Sequence, residues 1–305
     1  MKQDLVTSKD RPAQAIAGRA RRRRGGAARL VFWLACAGAL AYSARLGYLW
    51  AFQADYWFRP AGAQHGDWRP RDLPLEDVGF NSRDGTRLHG WFMPHEKPRA
   101  IVLYCHGSGG NLTDATATLR FLHGEVQATA LVFDYRGYGR SEGRFESEED
   151  FLDDARAARR WLARRAGVRE SEIVLVGRSL GSFVASDLAA RDGARALVLE
   201  GAFTSLVDVA SYHYRAMPWR WIMRYRLDTL ARLPNYRGPL LQCHSNCDDV
   251  VPIAQARRLF DAARGPKHLV VLDGLAHADP HPRAYDARLG DFLRRHASML
   301  STTSP

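Results

Sequence analysis

Gly177, Ser179 and Gly181 stand at alternate positions in "IVLVGRSLGSF", residues 173–183, behind a run of four apolar residues. A serine in that setting could act as a nucleophile. Its hydroxyl is weak at neutral pH, so it needs a base to take its proton, an acid to orient that base, and donors for the oxyanion that develops on the attacked carbonyl. The flanking glycines leave room for a sharp strand-to-helix turn. Alone, the motif reads equally well as a small residue in a tight turn, so the partners must come from elsewhere. Among eleven histidines, His277 in "LDGLAHADP" is the candidate base, with His281 as its backup; His106 and His244 read as structural. "CHSNCDDVVP" supplies Asp248 and Asp249, either of which could orient an imidazole or cap the helix that follows. With Asp248 taken as the acid, the chain order is Ser179, Asp248, His277. The expected oxyanion donors are the backbone N–H of Leu180 and that of Ser108 in "HGSGG".

These residues need elements to hold them. "LEDVGF" and "RLHGWFMP" alternate apolar and polar residues about a turn containing Asp84-Gly85, a hairpin signal. Continuous apolar runs at 100–107, 129–137, 172–177, 194–201, 238–245 and 267–274 read as strands buried on both faces. Between them lie helical patterns near 113–123, from Ser147 to Gly167, from Gly181 to Arg191, from Pro252 to Arg264, and around 285–299. Ser147 would cap its helix, with Phe151, Ala155, Ala158 and Leu162 on the inner face. Alternation of this kind implies one α/β domain with a mostly parallel sheet, whose working residues lie in loops at the carboxyl ends of strands. His106–Gly110, Asp134–Gly143, Ser179, Glu200–Ser205, Asp248/Asp249 and His277 all fall in such loops.

Taken together, "YCHGSGGN", "VFDYRGYGRSEG", "VGRSLGS", "DDVVP" and "GLAH" resemble the α/β-hydrolase superfamily over roughly residues 75–297. The similarity is greatest to a branch of membrane-anchored esterase- or thioesterase-like proteins, often described as serine-aminopeptidase-like. The resemblance implies an α/β-hydrolase fold, a nucleophile at Ser179, a base at His277, and an acid at Asp248, with Ser245 standing where the family usually has Gly. It also implies that Asp134 shapes its loop and is not the acid. The segment at about 204–236 is where the family commonly carries a lid. Its "YHYRAMPWRWIMRYRL" interleaves aromatic and basic residues. Trp219, Trp221, Ile222 and Met223 are expected to touch either an acyl chain or the bilayer interface, unless these are ordinary packing helices.

The net charge of +11 is unevenly spread. Residues 1–29 hold nine of the 44 basic residues and two of the 33 acidic ones, so seven of the eleven charges sit there and four on the rest. That distribution argues against nucleic-acid binding. It fits a basic tail, residues 1–29, ahead of an apolar stretch, residues 30–52, interrupted only by Arg45. Twenty-three residues suffice to cross a bilayer, and Arg21–Arg24 would keep the N-terminus in the cytoplasm. The expectation is a single-pass helix in the inner membrane, a linker over 53–74, and an extracytoplasmic hydrolase domain over 75–300. A cleaved signal peptide and a membrane-dipping helix with a cytoplasmic domain are the alternatives. Cys36, Cys105, Cys243 and Cys247 read as small apolar residues, with a Cys243–Cys247 disulfide possible outside the cytoplasm. No metal or cofactor is expected.

The function expected is a serine hydrolase cleaving carboxylic esters or thioesters through an acyl-enzyme. An aminopeptidase-like amide hydrolase would use the same triad with an acidic pocket for a free amine, and no acidic cluster is evident in the lid segment. The third reading is a non-catalytic anchored scaffold. The expected ligand is a small-molecule or lipid-like acyl compound.

Overall fold

A computed structural model of the chain describes residues 11–297, with side chains from Arg29 onward. The basic tail's side chains, the last residues of the expected closing helix and the end of the 75–300 domain lie outside the described residues. Two compact units divide the chain at Phe52. The first contains helix α1, Arg11–Ala51. Within it, Arg29–Ala51 is long and apolar enough to cross a membrane: 23 residues at 1.5 Å each span about 35 Å. Leu30, Phe32, Trp33 and Leu40 are exposed along it.

The second unit is built on eight strands: β1 Glu76–Asn81, β2 Arg87–Met93, β3 Ala100–Cys105, β4 Ala128–Phe133, β5 Val174–Arg178, β6 Leu197–Glu200, β7 Leu240–Ser245 and β8 Lys267–Leu272. They form one sheet in the order β8-β7-β6-β5-β3-β4-β2-β1. β1 and β2 pair antiparallel, as do β2 and β4; the other neighbours are parallel. The apolar runs end up in the middle because a parallel sheet is covered on both faces. Every residue of β3 and β4 is buried.

Among the helices are α2 Thr116–Phe121, α3 Glu148–Ala166, α4 Leu180–Asp192, α5 Leu206–His213, α6 Ile253–Ala262 and α7 Arg283–His296. α3 begins where the Asp150 carboxylate accepts the Ser147 N–H at 2.8 Å, and ends at Gly167, whose φ of +68° suits glycine. Phe151, Ala155, Ala158 and Leu162 are its buried face. Arg159 on α3 is fully buried and donates to the carbonyls of Glu170, Leu188 and Gly193, which ties α3 to the end of α4.

Two local expectations are revised, and one alternative is closed. The strand expected over 129–137 stops at Phe133, because the buried Asp134 carboxylate accepts the N–H groups of Leu112 and Arg140 and turns the chain. Residues 53–74, read as a linker, belong to the same compact unit as the sheet: Phe58 packs edge-on against Phe145 and Tyr225, side chains too distant in sequence to be anticipated. Cys243 and Cys247 are both free thiols, one buried and one exposed, with no disulfide between them.

Candidate active site

Ser179 occupies the turn between β5 and α4 at φ +50°, ψ −115°, a region that costs a non-glycine residue of order 1–3 kcal/mol. Packing enforces it. A Cβ on Gly177 would lie 2.2 Å from the Gly181 carbonyl oxygen, and one on Gly181 would lie 1.9 Å from that of Cys105. No side chain fits either place, so the strand and helix close tightly only with glycine. The Ser182 hydroxyl donates to the Gly177 carbonyl at 2.8 Å, and the Ser179 N–H donates to the Glu200 carbonyl at 2.8 Å.

Ser179, His277 and Asp248 come together from three strand ends. His277 Nδ1 lies 2.7 Å from Asp248 Oδ2, and His277 Nε2 lies 2.9 Å from Ser179 Oγ. Facing a carboxylate, Nδ1 must carry the proton, which leaves Nε2 to accept from the serine hydroxyl. Asp248 Oδ1 accepts the N–H groups of Val250 and Val251 at 2.9 and 2.7 Å. Burial alone would raise the Asp248 pKa, but the His277 hydrogen bond and charge and these two N–H groups outweigh it and hold the carboxyl below its ordinary value. Asp249 serves the same histidine differently, accepting the His277 backbone N–H at 2.9 Å.

The other histidines are held elsewhere. His106 is buried with its Nδ1 2.8 Å from the Gly107 carbonyl, and His244 Nε2 is 2.8 Å from the Val251 carbonyl. Burial depresses the pKa of both, and of His281, which stands 3.7 Å from Glu200 and not at the serine.

Leu180 is the first residue of α4, so its N–H has no acceptor within the helix. Ser108 lines the cleft beside Ser179, and its carbonyl is pinned by the Arg59 N–H at 2.9 Å and the Tyr138 hydroxyl at 3.0 Å. Gly107 packs against the serine: a Cβ there would sit 3.6 Å from Ser179 Cβ.

Several contributors escaped the sequence reading. Arg178, the variable residue of the Gly-x-Ser motif, donates through one guanidinium nitrogen to the carbonyls of His277 (3.1 Å) and Asp279 (2.9 Å), tying the histidine loop to the strand that leads to Ser179. Gly201, at φ +58°, faces the imidazole: a Cβ there would lie 2.9 Å from His277 Cε1. In the sequence Gly201 stood only as the last residue of the run 194–201 and a member of the Glu200–Ser205 loop, with no role attached.

The cleft at Ser179 encloses about 600 Å³. The lid segment does not line it. Trp219 is buried against Trp57 and Tyr214, with its indole N–H on the Tyr214 carbonyl at 3.2 Å, while Trp221 is 89% exposed. None of Trp219, Trp221, Ile222 and Met223, expected at an acyl chain or the bilayer interface, lines this cleft, and Trp219 is turned into the body of the domain. Among the described residues, no group of three or more His, Cys, Asp or Glu is placed to hold a metal ion.

The family model described as "Serine aminopeptidase, S33" matches residues 96–225. An uncharacterised Mycobacterium tuberculosis protein, Rv2307c, is 38% identical over 206 residues, a match covering 67% of this chain and 73% of the relative. An esterase domain of a Rhodothermus marinus protein superimposes with a TM-score of 0.56 at 26% identity, over 73% of this chain and all of that domain. The Pyrococcus furiosus esterase Pf2001 superimposes with a TM-score of 0.66 at 20% identity, over 79% and 98% of the two chains. This last likeness bears on the fold.

Proposed function

The chain belongs to the serine aminopeptidase family of the α/β-hydrolase superfamily, and from that premise we propose that it is a serine hydrolase cleaving a carboxylic ester or thioester through an acyl-enzyme. The observation that carries this reading is the unbroken Asp248–His277–Ser179 hydrogen-bond chain, 2.7 and 2.9 Å, opening onto a cleft.

In the first half-reaction His277 Nε2 takes the Ser179 proton as Oγ bonds to the substrate carbonyl carbon. The negative charge moves to the carbonyl oxygen, where the N–H groups of Leu180 and Ser108 receive it; each such donor is worth about 10²–10³ in rate. The carbon–heteroatom bond then breaks, and His277 returns the proton to the departing alcohol or thiol. Water repeats the sequence on the acyl-enzyme, releasing the acid and restoring Ser179. Asp248 keeps the ring in the tautomer both steps need and stabilises the transient imidazolium. Amide hydrolysis would use the same steps; the likeness to the Rhodothermus marinus esterase domain favours esters. A scaffold without activity would have no use for a strained serine held against a complete relay.

We further infer that Arg29–Ala51 anchors the protein in the inner membrane as a single span, with the N-terminus cytoplasmic and the hydrolase domain on the other side. The length and apolarity of that helix and the basic residues before it support this. The test of activity is a panel of esters and thioesters of graded chain length, wild type against Ser179→Ala. Reporter fusions after residue 305 test the topology: activity of a periplasmic reporter is expected, and activity of a cytoplasmic one contradicts it.

A further inference from the structure

The loop expected to bind the oxyanion is held by a stretch of chain far outside the hydrolase motifs. Three of the four residues in Gly107-Ser108-Gly109-Gly110 are glycine, and Gly110 sits at φ +72°. Such a loop has little stiffness of its own, because glycine opens the widest range of backbone conformations. On one side, the Gly107 carbonyl lies 2.8 Å from His106 Nδ1, which must be the donor because a carbonyl only accepts. That carbonyl shares a peptide plane with the Ser108 N–H, so the histidine sets the tilt of the expected oxyanion donor.

The grip on the other side comes from residues 59–62. Arg59–Pro60 pairs parallel with Gly109–Gly110. The Arg59 N–H donates to the Ser108 carbonyl at 2.9 Å, and the Ala61 N–H donates to the Gly110 carbonyl at 2.8 Å. Pro60 lies between these two donors, at the position that needs no N–H. The stretch is itself held from behind. The Ala61 carbonyl accepts the Gly139 N–H at 2.8 Å, and the Asn111 amide donates to the carbonyls of Gly62 and His65, both at 3.2 Å. At its start, Phe58 is buried against Phe145, Phe151 and Tyr225. Arg59 and Pro60 are exposed, so this pairing adds little burial and acts through the backbone.

We propose that residues 59–62 form a strap that positions the oxyanion site. They carry no reacting atom; they clamp the Ser108 and Gly110 carbonyls and so keep the Ser108 N–H aimed at the developing oxygen. Donors fixed in advance need no reorganisation at the moment of reaction. The catalytic unit therefore begins at Phe58, and not at residue 75 where the hydrolase motifs start. The Tyr138 hydroxyl also holds the Ser108 carbonyl, at 3.0 Å, so loss of one clamp loosens the donor without releasing it.

The proposal rests on the reading of Ser179 as the nucleophile, and its test separates the two. Ala61→Pro deletes one clamping N–H, and Pro60 before it is already in a strand, as the residue preceding a proline prefers. Ala61→Ser keeps the N–H. On the best substrate of a p-nitrophenyl ester series, Ala61→Pro should lower kcat by about 10–100-fold, with KM within about threefold of the wild type. Ser179 adds to the carbonyl carbon of a trifluoromethyl ketone, passing its proton to His277 and leaving a tetrahedral oxyanion. The inhibition constant of the ketone with the same acyl chain should therefore rise in proportion to the fall in kcat/KM. The pH profile of kcat/KM should keep its shape, because the relay is untouched, and Ala61→Ser should behave as the wild type. If Ala61→Pro does not fold, lactic acid introduced at position 61 by nonsense suppression deletes the same N–H without the ring. A kcat within about twofold of the wild type, a loss that the ketone does not share, or an equal loss in Ala61→Ser overturns the strap and leaves the nucleophile reading standing. A wild type that turns over no ester of the series overturns both.

Discussion

The backbone N–H of His277 donates to the Asp249 carboxylate at 2.9 Å, while the neighbouring Asp248 takes the ring of the same histidine at 2.7 Å. Adjacent aspartates thus divide one task, one fixing the loop and the other fixing the tautomer. Asp248→Asn should lower kcat on the order of 10³–10⁴-fold, because an amide favours the wrong tautomer. Asp249→Asn keeps an acceptor for the backbone and should cost about tenfold at most. Steady-state kinetics of the two variants decide this, and equal losses would contradict the division.

Arg178 positions the histidine loop without touching the reacting atoms. Arg178→Ala should lower kcat by about 10–100-fold while KM for a neutral ester changes little. Arg178→Lys keeps one cation within reach of the carbonyls and should recover part of the loss. A change confined to melting temperature, with no recovery by lysine, would show that the arginine only supports the fold.

Gly201 and Gly181 are both constrained, with different consequences. A Cβ on Gly201 meets the edge of the His277 ring, so Gly201→Ala should displace the ring and reduce turnover more than stability. A Cβ on Gly181 meets the backbone of Cys105 and His106, so Gly181→Ala should compromise folding itself. Melting temperature and kcat measured together separate the two, and parallel effects would be inconsistent with these contacts.

Asp248 also ties stability to acid. Its folded pKa lies below the ordinary 3.8, so its contribution is present above the unfolded value and is lost as pH falls through the folded one. In urea unfolding, the gap between wild type and Asp248→Asn should hold steady from about pH 7 to 5 and shrink only once the pH falls below the unfolded value of 3.8. A gap that widens in favour of the wild type as the pH falls below about 5 would show a raised carboxyl pKa and contradict this account.

The legibility of the molecule in its sequence follows from how local each determinant is. The buried strands and the mostly parallel sheet were readable because apolar runs, hairpin chemistry and helix caps act over a few residues. Ser179, His277 and the aspartate pair were readable because strand-end loops in such a sheet converge on one edge. The choice of Asp248 over Asp249 came from the family resemblance and not from the residues alone, because it depends on a turn in which Asp248 caps Val250 and Val251 and so faces the ring. Gly201, Arg178 and Glu200 act through contacts set by strand register, which no single stretch reveals. Phe58 looked like linker because its partners, Phe145, Phe151 and Tyr225, lie far along the chain. Which of the expected lid contacts Trp219 makes was not readable, because Trp57, the partner that turns it inward, lies outside the lid sequence.

The central claim is that Ser179 is an activated nucleophile. A fluorophosphonate probe added to the folded protein, followed by mass mapping of the adduct, tests it most directly. Stoichiometric labelling at Ser179 is predicted, absent in Ser179→Ala and slowed by a factor of at least about 10² in His277→Ala. A folded wild type that takes no label, or is labelled equally well without Ser179, would contradict the account.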